Sequence, residues 1–403
     1  MKDYNWKNLK YADGQKAEQI ELPSCFIDYH KCGEILFLTF EGAGELVSQI
    51  DGVRKPWGFD FLTKSGFSIF GFKPKNGRGW YRENDILEYV NSRDFQDICK
   101  RHKKCFFYGG SMGGYAALRF SEKIENSVVI ALQPQVTLDR KIVTQERRFP
   151  ESVDLDWSGL FSGGFPATHL AEQINVFYDP YLRPDRDQVD LISHSNLVRY
   201  RAPFLNHRVP SAMLELKLLK RSVLEIVEGH LTPNTFKLWM KERSSLVVWN
   251  LNIASRCRNL QRKKIFIKRA LMLDPKSHLA NSAYCRFLLD HSPEKKDLEK
   301  VIKIAKTFPK FLTLAFTIEA NAILNRAEAV KKDFYQFEVI FKSSRKKIYI
   351  LKHAYRIISV MTEHRYFNEA ERLVDTCIEY RTTCLYAKKL KTKIVQQRHK
   401  FYE

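Results

Sequence analysis

The residues best suited to chemistry form a short glycine-rich stretch, residues 108–117, which reads YGGSMGGYAA. Within it, Gly109, Ser111 and Gly113 make the pattern G-x-S-x-G. A serine on a tight turn between glycines exposes its hydroxyl, and the free N–H groups at the start of a following helix favour negative charge beside it. The pattern therefore predicts a nucleophilic serine at Ser111. The alternative is a glycine-rich turn that binds phosphate or only packs the backbone.

The elements around this stretch follow from hydrophobic patterning. An aromatic-rich apolar strand at 104–108 precedes Ser111, and a helix of small residues at 114–124 follows it. Further strands are predicted at 34–40, 67–72, 127–132, 174–178 and 197–203, and further helices at 85–100 and 185–192. Strands that alternate with helices predict an α/β fold with a mostly parallel sheet covered by helices.

A G-x-S-x-G turn between a strand and a helix in such a chain resembles the α/β-hydrolase superfamily, over about residues 30–230. The resemblance implies an acid and a histidine that follow the serine in that order. For the acid, Asp179 closes the strand at 174–178 in an Asp-Pro turn and is preferred. Asp185 is the alternative, although it also suits the N-cap of the next helix. Asp187, in the same loop, ranks below both.

For the base, the resemblance implies a histidine in the loop after the last strand, which favours His207. His230 is the second candidate, although a helix C-cap is its simpler role. The histidine would take the proton from the serine, and the aspartate would orient the imidazolium. The resemblance also implies an oxyanion hole made by the backbone N–H groups of Met112 and Glu41.

Three short segments resemble a narrower group in that superfamily, the serine-dependent enzymes that modify bacterial surface polysaccharides. They are Thr-Phe-Glu at 39–41, the glycine pair at 113–114 and Gln-Pro-Gln at 133–135. This resemblance implies an esterase or deacetylase, which needs no cofactor, or a glycan O-acetyltransferase, which uses acetyl-CoA. The chain lacks the HGGG-type oxyanion motif of lipases, which argues against a lipase.

Composition limits the class of protein further. The 403 residues are 44% hydrophobic and 28% charged, as in a globular chain of two or three domains. No apolar run reaches the roughly 20 residues of a membrane-spanning helix, and the N-terminus has no continuous apolar segment typical of a secretory signal. The eight cysteines show no zinc-binding spacing. We therefore predict a cytoplasmic protein without a metal, with a peripheral position at the inner membrane as an extension of that prediction.

The net charge of +21 is distributed unevenly along the chain. Residues 241–403 contain 35 Lys and Arg against 16 Asp and Glu, a net +19, so the first 240 residues hold only +2. Two regions with such different charge indicate two domains. The basic one should attract an anionic polysaccharide, a protein or a membrane surface. Specific nucleic-acid recognition is not expected, because no helix-turn-helix, zinc-finger or RNP motif is present.

The basic region has a helical pattern only, from about residue 233 onward. Pro275 and Pro309 each follow the end of a helix and are 34 residues apart, which is the period of a tetratricopeptide (TPR) repeat. We predict a catalytic domain at 1–232 and a TPR-like helical domain at 233–403. An irregular helical bundle is the alternative to the repeat.

The sequence as a whole favours a serine hydrolase that acts on an acyl ester, with a bacterial surface glycan as the implied setting. An acyltransferase with the same three residues is the first alternative, since the acyl group can pass to a sugar hydroxyl instead of water. A non-catalytic interaction protein that works through its helical repeats is the second.

Overall fold

The computed structural model describes residues 4–43, 52–122, 124–149, 155–158, 170–291, 294–344, 347–381 and 384–403. The chain forms two compact units, Met1–Ser245 and Leu246–Glu403. Among the residues described, none of the helices combines the length and the apolar character needed to cross a membrane.

A nine-stranded sheet forms the centre of the first unit, counted over the described residues. Its strands are β1 Lys7–Lys10, β2 Lys16–Glu21, β3 Cys25–His30, β4 Ile35–Phe40, β5 Ser68–Pro74, β6 Lys104–Gly110, β7 Ser127–Leu132, β8 Gln173–Tyr178 and β9 Leu197–Arg201. Their order across the sheet is β1-β2-β3-β5-β4-β6-β7-β8-β9. The strands from β5 to β9 pair in parallel, whereas β1, β2 and β3 add on in antiparallel fashion. The predicted α/β fold with a mostly parallel sheet is confirmed.

Eight helices of the first unit are described along with the sheet. They are α1 Phe59–Lys64, α2 Asn84–Val90, α3 Arg93–Lys100, α4 Met112–Phe120, α5 Arg183–Val189, α6 Val209–Glu215, α7 Leu218–Val227 and α8 Pro233–Trp239. The single helix predicted at 85–100 is two helices, because Ser92 interrupts it and caps α3 by accepting a hydrogen bond from the N–H of Phe95.

The middle of the sheet is buried on both faces. Strands β5 and β7 are buried along their whole length, and every residue of β6 between its two ends is buried too. Strands covered on both faces read as continuous apolar runs, which is why the sequence pattern located them well. Residue 111 follows β6 directly, so it lies at the carboxyl end of a central strand, the edge where open α/β sheets bind ligands.

The second unit is helical throughout its described part. Its helices are α9 Val247–Arg256, α10 Leu260–Leu273, α11 His278–His291, α12 Lys295–Ala305, α13 Lys310–Ile323, α14 Ala327–Ser343, α15 Lys347–Glu363, α16 Phe367–Tyr380 and α17 Leu385–Tyr402. Most consecutive helices contact each other, and the alternate helices α11, α13, α15 and α17 also contact along a row. This pattern is consistent with stacked helix pairs; the assignment to a TPR-like repeat stays a prediction.

The boundary between the units lies after α8 and not before it. Phe236 of α8 packs on the sheet, with its ring centroid 5.1 Å from that of Phe177 and 5.5 Å from that of Tyr200. A helix that buries an aromatic side chain against β8 and β9 belongs to the sheet unit. The boundary predicted at residue 233 therefore falls one helix earlier than the division between the compact units.

Candidate active site

Ser111 lies on a sharp turn between β6 and α4. Its φ of 55° and ψ of −117° are a strained conformation for a residue with a side chain. The two flanking glycines leave no room for larger residues: a Cβ on Gly109 would lie 2.2 Å from the carbonyl oxygen of Gly113, and one on Gly113 would lie 2.1 Å from that of Phe40. The G-x-S-x-G pattern is therefore required by steric contacts, and the turn presents the serine hydroxyl at the end of the strand.

A continuous chain of hydrogen bonds leads from this hydroxyl to a buried acid. Ser111 Oγ lies 3.0 Å from His207 Nε2. His207 Nδ1 lies 2.9 Å from both carboxylate oxygens of Asp185, which is fully buried. A carboxylate can only accept, so Nδ1 carries the proton and Nε2 is left as the acceptor for the serine hydroxyl. The tertiary structure thus brings together the sequence-predicted Ser111, His207 and alternative acid.

Asp179, the acid preferred from the sequence, is not hydrogen-bonded to His207, whose Nδ1 faces Asp185 instead. Its side chain is also fully buried, but Oδ1 accepts a hydrogen bond from the N–H of Tyr181 at 2.9 Å and Oδ2 accepts one from the N–H of Asn206 at 2.7 Å. Asp179 therefore joins the loop after β8 to the loop that carries His207. Asp179 follows β8 directly, and its carboxylate binds these two backbone N–H groups. The carboxylate that binds the His207 imidazole is that of Asp185. The preference for Asp179 as the partner of His207 is corrected to Asp185.

The other roles weighed for these aspartates also change. Leu182 is the N-cap of α5, and Asp185 lies in the first turn of that helix, so the N-cap role suggested for Asp185 is wrong. Asp187 is half-exposed and pairs with Arg183 at 3.3 Å. It therefore contacts an arginine of its own helix and takes no part in the hydrogen-bonded chain.

His230, the second candidate for the base, is mostly exposed at the end of α7. Its Nδ1 lies 3.4 Å from Glu228, and these two residues and Glu225 offer three ligand atoms within 4.8 Å of one another. Exposed acidic groups of this kind are common without an ion, so this cluster supports no metal assignment. His207 is the candidate that contacts Ser111.

Asp185 belongs to a network of charged side chains with Arg148 and Glu146, and this network was not predicted from the sequence. Arg148 Nη1 donates to Asp185 Oδ1 at 2.6 Å, and the Nη2 and Nε groups of Arg148 donate to the Glu146 carboxylate, at 2.6 and 2.9 Å. Burial lowers the pKa of the Arg148 guanidinium, but its bonds to Glu146 and Asp185 outweigh burial and raise the pKa. Burial raises the pKa of Glu146, and the bonds from Arg148 outweigh that effect and lower it. Both groups are therefore charged at neutral pH.

Two glutamines of the predicted segment 133–135 line the site. Gln133 donates from Nε2 to the carbonyl oxygen of His207 at 3.1 Å and accepts at Oε1 from the N–H of Val209 at 2.9 Å, so it holds the histidine loop in place. Gln135 is fully buried, with Oε1 3.1 Å from Ser111 Oγ, and its Nε2 has no hydrogen-bond partner among the described residues. The sequence singled out this segment by resemblance but gave neither glutamine a role.

The two backbone groups predicted for the oxyanion hole differ in their surroundings. Met112 begins α4, and the first N–H groups of a helix have no acceptor within it. The N–H of Glu41 donates to the hydroxyl oxygen of Tyr81 at 2.7 Å, and the carboxylate of Glu41 pairs with Arg54. Gly42 follows and lies against the turn that carries Ser111, since a Cβ on Gly42 would be 3.2 Å from the carbonyl oxygen of Gly110. The Glu41 N–H is therefore already used within the protein.

No protein-family model matches the sequence, and no curated protein matches it. Among solved structures, the chain is similar to the capsule O-acetyltransferase of Neisseria meningitidis serogroup A, with 15% identity, a TM-score of 0.35, and coverage of 53% of this chain and 94% of that one. It is also similar to an esterase of Pyrococcus furiosus, with 12% identity, a TM-score of 0.34, and coverage of 56% and 90%.

A third similar structure is a fluorophosphonate-binding serine hydrolase of Staphylococcus aureus, with 13% identity, a TM-score of 0.33, and coverage of 56% of this chain and 98% of that one. At these values the similarity carries no argument about activity. The fold class rests on the strand order of this chain and on its strand–turn–helix at Ser111: a mostly parallel α/β-hydrolase-type sheet, followed by a helical unit.

Proposed function

We propose that this protein is a serine hydrolase that cleaves an acyl ester through Ser111, His207 and Asp185. One observation carries the proposal: the Ser111 hydroxyl, on a strained turn at the end of a central strand, is hydrogen-bonded to His207, which is hydrogen-bonded to buried Asp185. The same three side-chain types in this order are able to activate a serine as a nucleophile.

In the proposed reaction, His207 Nε2 takes the proton of Ser111 as Oγ attacks the carbonyl carbon of the ester. The negative Asp185 stabilises the imidazolium, and the N–H of Met112 donates to the developing oxyanion. Because Tyr81 already engages Glu41, the N–H of Gly42 is the second donor in this proposal. The imidazolium then gives its proton to the leaving alcohol, and an acyl group stays on Ser111 Oγ.

Water completes the reaction in a hydrolase, while a sugar hydroxyl completes it in an acyltransferase. His207 would remove a proton from either acceptor, so the residues are the same for both. The bacterial surface glycan as substrate, acetyl-CoA as acyl donor and the cytoplasmic location remain proposals that rest on the sequence resemblance and composition.

The first test is labelling with a fluorophosphonate probe, located by peptide mass spectrometry. We expect the wild type to be labelled at Ser111, and the Ser111→Ala and His207→Ala variants to lose that label. His230→Ala is the matched control, since His230 lies outside the hydrogen-bonded chain, and it should be labelled like the wild type. Folded wild-type protein without a label at Ser111 would favour the non-catalytic alternative.

A second measurement separates hydrolysis from transfer. Release of p-nitrophenol from p-nitrophenyl acetate is followed with and without a glycan acceptor, and the products are identified by mass spectrometry. Free acetate as the sole acetyl product supports the hydrolase. An acetylated glycan, formed from the ester or from acetyl-CoA and absent with Ser111→Ala, would establish the acyltransferase instead.

A further inference from the structure

A cleft with a volume of about 660 Å³ opens in the first unit, on the side of the sheet where β9 is the edge strand. The residues that line it come from the loop after β8, from α5, from β9 and the loop after it, and from α8 and the short 3₁₀ helix Met240–Ser245. We call it the β9 cleft. The hydrogen-bonded chain around Ser111 does not use the residues of this cleft.

The lining of the β9 cleft carries positive charge only, among the residues that the structure describes. Its cations are Arg186, Arg199, Arg201, Lys237 and Arg243. Arg199 and Arg201 lie on one face of β9, since residues two apart on a strand share a face, and both are exposed. Within the described chain, no carboxylate forms an ion pair with Arg199, Arg201 or Lys237.

This concentration of charge is not a consequence of overall composition. The first 240 residues have a net charge of only +2, whereas the excess of basic residues belongs to the helical unit. Arg186 pairs with Asp187 at 3.4 Å. Arg199, Arg201 and Lys237 form no ion pair within the described chain, so these three cations need a local explanation. Arginine outnumbers lysine in the cleft, and the guanidinium group binds the oxygens of phosphate in a bidentate manner.

An aromatic pair forms one wall of the β9 cleft. The rings of Tyr181 and Phe204 are stacked, with centroids 4.3 Å apart and planes 6° from parallel, and Tyr181 is 59% exposed. Phe204 has a φ of 65°, a strained backbone conformation for a bulky residue. The buried Asp179 binds the N–H of Tyr181 and of Asn206 and so fixes both sides of the pair. Such strain persists only where the surrounding structure imposes it, and it is found mainly at binding sites.

We propose that the β9 cleft binds a ligand that carries two or more phosphate groups, held by Arg199, Arg201 and Lys237, with a ring of the ligand against the exposed Tyr181. Arg199 and Arg201 lie on β9 and Lys237 lies on α8, so a diphosphate or a phosphodiester-linked chain can reach more of these three cations than a single phosphate can. The ligand is either a nucleotide or a phosphorylated glycan, and the shared chemistry is the phosphate. This proposal concerns binding and goes beyond the hydrolase function without depending on it.

The test is isothermal titration calorimetry with inorganic triphosphate, on the full chain and on the double variant Arg199→Gln/Arg201→Gln. We expect the variant to bind about tenfold more weakly, which corresponds to about 1.4 kcal/mol, because two of the three cations that hold the phosphates are removed. The control, Arg93→Gln/Arg101→Gln, removes two exposed arginines at the ends of α3 and should bind like the wild type. Should the first variant fold poorly, Lys237→Gln, at an exposed position of α8, serves instead.

Two further ligands identify the source of the phosphate. If ADP binds more weakly to both Arg199→Gln/Arg201→Gln and Tyr181→Ala than to the wild type, the ligand is a nucleotide. If a phosphodiester-linked oligosaccharide binds more weakly to both variants, the ligand is a phosphorylated glycan. Equal triphosphate affinity in the wild type and the double variant would overturn the proposal, because the anion would then bind elsewhere. Citrate that binds as tightly as triphosphate would overturn the choice of phosphate over carboxylate.

Discussion

At Ser111, one hydroxyl proton faces two acceptors. His207 Nε2 lies 3.0 Å from Oγ and Gln135 Oε1 lies 3.1 Å from it, while Gln135 Nε2 is buried without a partner among the described residues. The oxygen and nitrogen of an amide are assigned from hydrogen bonding. If the Gln135 amide is flipped by 180°, Nε2 donates a hydrogen bond to Ser111 Oγ. The hydroxyl proton of Ser111 is then free to be donated to His207 Nε2. Only this orientation suits an acyl-enzyme, whose ester oxygen carries no proton.

This geometry makes Gln135 a testable contributor to the reaction. We expect Gln135→Glu to lower the rate of fluorophosphonate labelling by about 10²-fold, the cost of losing one well-placed donor, since a carboxylate offers no N–H to Oγ. Gln145→Glu makes the same substitution at an exposed position and should label at the wild-type rate. A variant that melts at the wild-type temperature and labels normally would contradict the role of Gln135.

The two buried aspartates should respond in opposite ways to the same substitution. Asp185→Asn should lower the labelling rate by about 10³–10⁴-fold, since an asparagine cannot stabilise the His207 imidazolium. Asp179→Asn should leave Ser111 reactive but destabilise the fold by about 1–3 kcal/mol, because one of the two backbone N–H groups it binds loses its acceptor. Labelling rates and urea denaturation measure both effects. A reactive Asp185→Asn together with an inert, stable Asp179→Asn would restore Asp179 as the acid.

At the scale of elements, the turn at Ser111 depends on close packing between β4, β6 and α4. Parallel pairing places Phe40 opposite Gly109, and Gly113 at the start of α4 fits over the carbonyl of Phe40. The helix can approach the strands only because a glycine is present there. The same contact places the loop after β4, with Gly42, beside the serine turn.

In the helical unit, buried and partly buried polar groups connect alternate helices. Glu319 of α13 is fully buried and binds Arg286 of α11 and Arg356 of α15. His353 of α15 lies beside the rings of Phe311 and Phe316, with centroids 6.1 and 6.5 Å apart. Burial, followed by the positive charges of Lys352 and Arg286, lowers the pKa of His353 from 6.5 to about 4.

The lowered pKa of His353 predicts a loss of stability in mild acid. As the pH falls from about 6.5 to about 4, the unfolded chain binds a proton at this histidine and the folded chain does not. We expect the free energy of unfolding of the wild type to fall by on the order of 1–2 kcal/mol relative to that of His353→Gln over this pH range. This value allows for solvent screening of a partly buried ring. Urea denaturation at several pH values measures the difference. His399→Gln, an exposed position on α17, should instead follow the wild type, and a difference independent of pH would refute the prediction.

At the scale of the whole molecule, the dominant feature is the separation of charge along the chain. The helical residues from 241 onward hold +19 of the net +21, and several of their arginines are used in ion pairs such as Arg372 with Glu338. The excess that remains should attract a polyanion over a distance comparable with the Debye length. The partner itself, whether a polysaccharide, a protein or a membrane surface, stays a proposal.

We predict that the full chain binds vesicles that contain anionic lipid, and that this binding weakens steeply between about 50 and 300 mM salt as the Debye length shortens. Co-sedimentation at several salt concentrations measures the effect, and neutral vesicles of the same size are the control. Equal binding to neutral vesicles, or binding that salt leaves unchanged, would show that charge is not the cause.

The sequence by itself determined the features that depend on neighbouring residues. Hydrophobic patterning placed the strands from β4 to β9 close to their observed bounds, and the glycines around Ser111 predicted its turn because their steric requirement is local. The antiparallel strands β1, β2 and β3 were missed. Strands β1 and β2 are short, partly exposed and rich in Lys, Glu and Gln, so their apolar signal is weak. Strand β3 is mostly buried, but it is only six residues long and contains Asp28 and His30.

Only the tertiary structure decided which distant side chains meet. Asp179, Asp185 and Asp187 are close together in the sequence, which could not show that Asp185 contacts His207 while Asp179 binds two backbone N–H groups. Arg148, Gln135 and the cations of the β9 cleft come from separate loops, strands and helices, so no pattern of spacing links them. Their contacts depend on the direction of each side chain after the sheet has formed, a property that neighbours in the sequence do not fix.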